Sequence, residues 1–310
     1  MRPTTNEVHI DTAMANISIA YKNEEYIAEQ IFPIVNVTKQ SDVYFTYTKD
    51  FWFRDEATRR APSTAAKRID YGIGTTQYFC VEYAIAKEIA DEIRDNADNP
   101  IQPDTEATEL CTDKILLAME RRVAALVQGT ANWDGNITLS GTAQWSDYTN
   151  SDPLTDINTG IQTVQKAIGR KPNTVVMNQE VWDKLKYHPD IADKIKYTNL
   201  GILSVDLFKS LIDLPAGGRV LIGASIYDSA VEGATASMGY VWGKNCWIGY
   251  VAPSPSLLTP SGGYIFAWKT RQIRSWREEA EKQDVVEASS YYDEKAVASS
   301  CAYLIGSAIA

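Results

Sequence analysis

Histidine is almost missing from this chain: among 310 residues only His9 and His188 carry an imidazole. Two such residues, far apart in sequence, build neither a histidine-based catalytic triad nor a multi-histidine metal site. His188 stands directly before Pro189 and reads as a turn residue. Cysteine is scarce as well. Cys80, Cys111, Cys246 and Cys301 show no metal-ligand or redox spacing, so they are expected to be reduced, buried and structural. No run of 18 or more apolar residues occurs, and the first seven residues lead into no signal-peptide core. The protein is therefore expected to be made and kept in the cytosol, with the three sequons at Asn16, Asn36 and Asn136 as chance matches. A basic balance is missing too. With 30 Lys and Arg against 40 Asp and Glu, the net charge of −10 argues against a general binder of nucleic acid or anionic membranes.

Nucleotide-binding signatures are incomplete. The stretch from Gly72 to Gln77 lacks the third glycine of a dinucleotide fingerprint and sits in a strand-like pattern instead of opening a helix. The stretch from Gly218 to Ser225 has the glycine spacing of a phosphate loop, but Ala224 stands where a lysine must reach the phosphates. Carboxylate pairs such as Asp55-Glu56 and Glu278-Glu279 would suit acid and base chemistry, yet among 40 acidic residues they read as solvated charge.

What remains is ordinary globular composition, 45% hydrophobic and 23% charged, in enough chain for one large or two medium domains. Its most informative stretch lies between Val43 and Tyr83. Val43, Phe45 and Tyr47 alternate with Tyr44, Thr46 and Thr48, and Ile69, Tyr71 and Ile73 alternate with Asp70, Gly72 and Gly74, the period of half-buried strands. Between them, residues 54–67 carry no large apolar side chain, and Phe51-Trp52-Phe53 stands beside this charged tip. A floppy surface hairpin is the bland alternative. A solvent-bathed aromatic triplet is an aggregation hazard unless something covers it, so the stretch reads as an assembly arm whose partners lie on other subunits. Phe51, Trp52, Phe53, Arg54, Arg59, Arg60, Lys67 and Arg68 are its expected contact residues.

A short helix within residues 20–35 must stop at Pro33, and Ile85, Ile89 and Ile93 repeat every four residues as a helix would. The clearest helix runs from about Pro103 to Gln128, with Cys111, Ile115, Met119, Val123 and Leu126 on one stripe and Glu106, Glu109, Asp113 and Glu120 on other faces. After a glycine-punctuated connector a second unit begins. Asp152-Pro153 caps a helix with Ile157, Ile161, Val164 and Ile168 inward and Gly169 at its end, followed by a buried strand from Thr174 to Met177 and another helix capped by Asn178. A helix over 205–212, a strand over 219–222 and a hairpin turning at Gly243-Lys244-Asn245 complete it. A strand-rich tail from Tyr264 should return to the long helix, which makes the middle third an α/β insertion between two halves of another domain.

This order of parts resembles the major capsid (coat) proteins of tailed bacteriophages, whose shell fold is shared with encapsulins. The resemblance is carried by Ser140-Gly141-Thr142-Ala143-Gln144-Trp145-Ser146-Asp147-Tyr148, by Ser151-Asp152-Pro153, by Pro172-Asn173-Thr174-Val175-Val176-Met177-Asn178, and by residues 220–225 with Tyr227-Asp228. It implies an α+β capsid fold with an N-terminal arm at 1–42, an extended hairpin loop at 43–83, a peripheral domain at 84–151 and 262–310 containing the spine helix, and an axial α/β domain at 152–261. It also implies a non-enzymatic protein without cofactor or metal, made in the host cytoplasm and residing in the virion capsid. Its partners would be further copies of itself, in hexamers and pentamers of an icosahedral shell enclosing double-stranded DNA without sequence-specific binding. Some relatives carry a long N-terminal scaffolding segment that this sequence lacks, so a separate scaffolding protein, or none, is expected beside a portal and a decoration protein, with no membrane partner. Some weld a loop lysine to an asparagine of the C-terminal part with help from a glutamate. Lys49 and Lys67, and Glu278, Glu279 and Glu287, would suit, but no asparagine follows Asn245. An encapsulin-like compartment and a carboxylate-dependent cytosolic enzyme remain as alternatives.

Overall fold

Pro33 limits the first helix to one turn, α1 (Ala28–Ile31), because a proline ring is incompatible with continuing helix before it. In this computed structural model, which describes residues 23, 25–47, 49–97, 102–195, 203–255 and 259–310, Ile27, Ala28, Ile31 and Phe32 are all buried. His9, Thr48 and most of the expected N-terminal arm lie outside the described residues. β1 (Ile34–Asn36) leads to a hairpin of β2 (Ser41–Tyr47) and β3 (Ile73–Phe79), with Tyr47 opposite Ile73 and Ser41 opposite Phe79. The second hairpin strand thus starts at Ile73, later than expected. Ile69 and Tyr71 belong to the loop, which also holds the short helix α2 (Lys49–Phe53).

β4 (Val81–Ala90) corrects the expectation of a helix through Ile85 and Ile89; only α3 (Asp91–Asp95), with Ile93, is helical there. A spacing of four residues is also a multiple of two, so it fits a strand face equally well. The spine helix α4 (Pro103–Gln128) has Pro103 at its first position and Asp104 and Glu106 in its first turn, where the helix dipole favours negative charge.

β5 (Gly135–Thr138) follows the spine helix, and then comes α5 (Pro153–Ile168), whose N-terminus is capped by Asp152 accepting from the Thr155 N–H. β6 (Thr174–Asn178) is wholly buried, and the Asn178 side chain caps α6 (Gln179–Lys186) by accepting from Val181 N–H. α7 (Pro189–Ile195), α8 (Val205–Leu211), β7 (Arg219–Gly223), β8 (Ile226–Asp228), β9 (Met238–Tyr240) and β10 (Cys246–Gly249) follow. The expected hairpin at 243–245 does not form: β9 pairs with β8, whereas β10 lies antiparallel to β6. The tail supplies β11 (Gly263–Glu278), β12 (Gln283–Ala296) and β13 (Ala302–Gly306).

Two larger sheets organise these parts. β1-β11-β12-β4 forms one, covered by α4, with Cys111 and Ile115 against Ala288 and with Ala107 against Ile89 and Val286. The other runs β5-β13-β10-β6-β7. Its strands β5 and β13 lie on the peripheral side of the expected boundaries at 151 and 262, and β13 hydrogen-bonds to β10 on one side and to β5 on the other. Gly160 lets α5 approach this sheet closely. A Cβ there would lie 2.8 Å from Ile248 Cδ1 and 2.9 Å from Tyr303 Cδ1, nearer than side chains tolerate. Ile157, Ile161 and Val164 of α5 fill the core with Ile248 and Ile305, and each such residue contributes about 1.5 to 3 kcal/mol gross before ordering entropy is set against it.

Candidate assembly surface

The hairpin base rests on the molecule and its tip does not. Tyr44 and Tyr78 stack on Phe266 at 5.4 and 4.7 Å, and the Phe79 N–H donates to Asp293 at 2.9 Å. Beyond Tyr47 the contacts are mostly internal to the arm. Tyr47, Trp52 and Tyr71 form a ring cluster with centroids 6.1 to 6.2 Å apart. Arg54 lies 5.5 Å from the centre of the Phe51 ring, and Glu56 sits between Arg54 and Lys67, 3.3 Å from each. Arg59, Arg60 and Arg68 are exposed and make no ion pair among the described residues. Phe51, Trp52 and Phe53 remain 42%, 55% and 63% exposed, too much for members of the subunit's own core.

One contact departs from an arm reserved for other subunits. Gly169, in the left-handed conformation (φ 68°) that ends α5, faces the Phe53 ring, and a Cβ built there would meet it at 3.1 Å. The tip therefore leans on its own inserted unit. The structure gathers Phe51, Arg54, Lys67 and Trp52 around Glu56 and the ring cluster; it leaves Arg59, Arg60 and Arg68 along an irregular loop.

Sequence reasoning passed over one buried polar cluster, because its members are distant in sequence. Ser151 and His188 approach to 3.0 Å, with Asp190 3.7 Å from the far ring nitrogen. The hydrogen bonds run the wrong way for a nucleophile. Ser151 Oγ donates to the Asp147 carbonyl at 2.7 Å, His188 Nδ1 accepts from the Asp190 N–H, and Nε2–H is left to donate to Ser151. The ring is fully buried, and burial holds its pKa below 6.5, in keeping with a neutral imidazole that braces the start of α7. His188 is the turn residue expected from Pro189, and it is a satisfied one.

Comparison with known proteins agrees with this architecture. Residues 134–218 match the family described as phage major capsid protein E. The major capsid protein of Burkholderia phage BcepMu is 27% identical over 304 residues, covering 96% of this chain and 95% of that protein. Among solved structures, a phage-related protein of Bordetella bronchiseptica RB50 superposes with a TM-score of 0.73 at 25% identity, covering 93% of this chain and 94% of the other. The capsid of cyanophage P-SCSP1u shares the fold at 9% identity, with a TM-score of 0.67 over 99% and 95% of the two chains. Likeness along nearly the whole sequence, joined to the hairpin arm, spine helix and inserted α/β stretch, gives the chain the tailed-phage capsid fold and makes it similar to phage major capsid proteins.

Proposed function

We propose that copies of this chain close into an icosahedral shell of hexamers and pentamers around double-stranded DNA, each arm completing its burial on a neighbouring copy. The observation that carries this reading is the aromatic triplet at the end of a long hairpin, more than two-fifths exposed at every member. Exposed apolar patches of this kind mark interaction sites, and repeated heterologous contacts are what closed shells require. Phe51, Trp52 and Phe53 bury apolar area there, while Arg54, Arg59, Arg60, Lys67 and Arg68 pair with acidic groups of the neighbour. The charge balance of −10 suits a container that holds DNA without gripping it.

The division of labour we propose places the spine helix and its four-stranded sheet in a peripheral domain. The five-stranded sheet with α5 forms the axial unit, to which residues 135–138 and 302–306 are now assigned. A separate scaffolding protein, a portal and a decoration protein are the accessory partners, and synthesis is in the host cytoplasm. Sedimentation of concentrated protein, with any scaffold supplied, tests the reading. A megadalton species is expected, and a protein that stays monomeric under all such conditions would sink it. Nucleic acid in purified particles separates this reading from a compartment shell, whose particles would hold a protein cargo.

A further inference from the structure

Three consecutive residues of the spine helix reach three different parts of the molecule. A helix turns about 100° per residue, so neighbours in sequence point in different directions. Arg121 lies over the Tyr227 ring of β8 at 4.3 Å. Arg122 lies over Tyr83 at 3.8 Å, donates to Glu294 at 2.9 Å and bonds the Tyr292 hydroxyl. Glu120 points to the N-terminal segment and to Trp242.

Glu120 is the buried member, with no exposed surface. Its Oε1 accepts from the Ile27 N–H at 3.1 Å and the Trp242 indole N–H at 2.6 Å, and its Oε2 accepts from the Ala28 N–H at 2.8 Å. No ion pair involves Glu120 among the described residues, so these donors alone compensate its removal from water. Ile27 and Ala28 open α1, a helix too short to satisfy its own first N–H groups. The same segment is held twice more. The Asn23 side chain pairs with both backbone groups of Ile226, at 3.1 and 3.0 Å, and the Tyr26 hydroxyl donates to Asp113 at 2.8 Å.

We propose that Glu120 is a positioning residue for assembly: it pins the segment around Ile27 and the Trp242 side of the inserted unit to one point of the spine helix, fixing their mutual placement before copies meet. The inference rests on the shell-forming reading. The chemistry selects glutamate, since a carboxylate offers only acceptors to this set of donors. Glutamine can keep its oxygen at the two-donor position, but its amide N–H groups then face the Ala28 N–H.

The test combines amide exchange with particle imaging of full-length Glu120→Gln. Exchange at Ala28 should accelerate at least about tenfold, the consequence of one lost buried hydrogen bond, more than at Ile27. Val175 and Ile248, in the inserted sheet, should keep their rates. Particles should lose uniform diameter or fail to close. Unchanged exchange at Ala28, an equal acceleration at all sites as expected of a plain stability brace, or particles indistinguishable from wild type would each overturn the proposal. Should Glu120→Gln not fold, Trp242→Phe removes one donor and keeps the charge. It should retain protection at Ala28 and still broaden particle diameter, and uniform particles from it would overturn the proposal. Wild-type protein that never forms particles would sink the shell-forming reading itself, which is distinct from uniform variant particles beside uniform wild-type ones.

Discussion

Replacing Phe51, Trp52 and Phe53 together by alanine separates what the arm does for its own subunit from what it does for a neighbour. Phe53 is 63% exposed in the subunit and touches only the Gly169 region of the inserted unit among the contacts described. Full burial of such a side chain contributes ~1.5 to 3 kcal/mol, so the covered third contributes roughly 1 kcal/mol or less. Loss of that much lowers the melting temperature by about 2 to 4 °C in a chain of this size class, whereas the covered parts of Phe51 and Trp52 rest on Arg54, Tyr47 and Tyr71 of the arm, so their loss loosens the arm rather than the core. The free half of the three rings is a larger quantity. Aromatic side chains bury ~150 to 250 Å² each when fully covered, which leaves on the order of 300 Å² for a partner. At ~25 cal/mol per Å² this is about 7 kcal/mol gross per arm, reduced by the ordering of the loop and the loss of free rotation. A net loss of even ~2 kcal/mol weakens each contact roughly thirtyfold. Circular dichroism and thermal melting should therefore change little, while sedimentation shows particle yield falling at least tenfold. A variant that unfolds, or melts more than about 10 °C lower, would place the triplet in the core and refute the reasoning. So would normal particle yield.

Three further outcomes follow from the same structure. His188 is buried with its pKa depressed by desolvation, so it binds a proton less readily folded than unfolded; stability should fall as pH drops below 6.5, and His188→Asn should flatten that part of the curve. Burial raises the pKa of Asp156 and Glu294, whose contributions are lost as pH rises, so urea midpoints of wild type and variant are compared at each pH. Gly160→Val should destabilise by ~1 to 3 kcal/mol through overpacking against Ile248 and Tyr303, and a denaturation midpoint equal to wild type would contradict the close packing of α5. Mature particles boiled with reductant should give one band near 34.5 kDa, because no asparagine follows Asn245 to accept a loop lysine; a ladder of multimers would point to another acceptor such as Gln272 or Gln283.

Much of this fold could be read where local signals agree. The proline at the start of α4, the Asp152 cap and Gly169 stop of α5, and the Asn178 cap of α6 each satisfy donors or φ angles within a few residues, so they need no tertiary knowledge. The spacing of Ile85 and Ile89 is compatible with helix and strand alike, and pairing with β12 makes β4 a strand. Local pattern also fails for the short strands near Gly243: β10 pairs with β6 and β13, both distant in sequence, rather than with its sequence neighbour. The arm's composition announced a surface loop, but its lean on Gly169 depends on where two distant units happen to meet. Sequence periodicity sets Glu120 on a polar face of the spine. From Met119 onward the buried stripe widens to include Glu120 and Ala124, because the N-terminal segment and Trp242 cover a second side of the helix.

Cryo-electron microscopy of the expressed protein, with any scaffold present, tests the central claim most directly. Closed particles are expected in which Phe51, Trp52 and Phe53 of each copy are covered by a neighbouring copy, with the basic residues from Arg54 to Arg68 facing carboxylates. Closed particles with these rings still in solvent, or no particles at all, would contradict it.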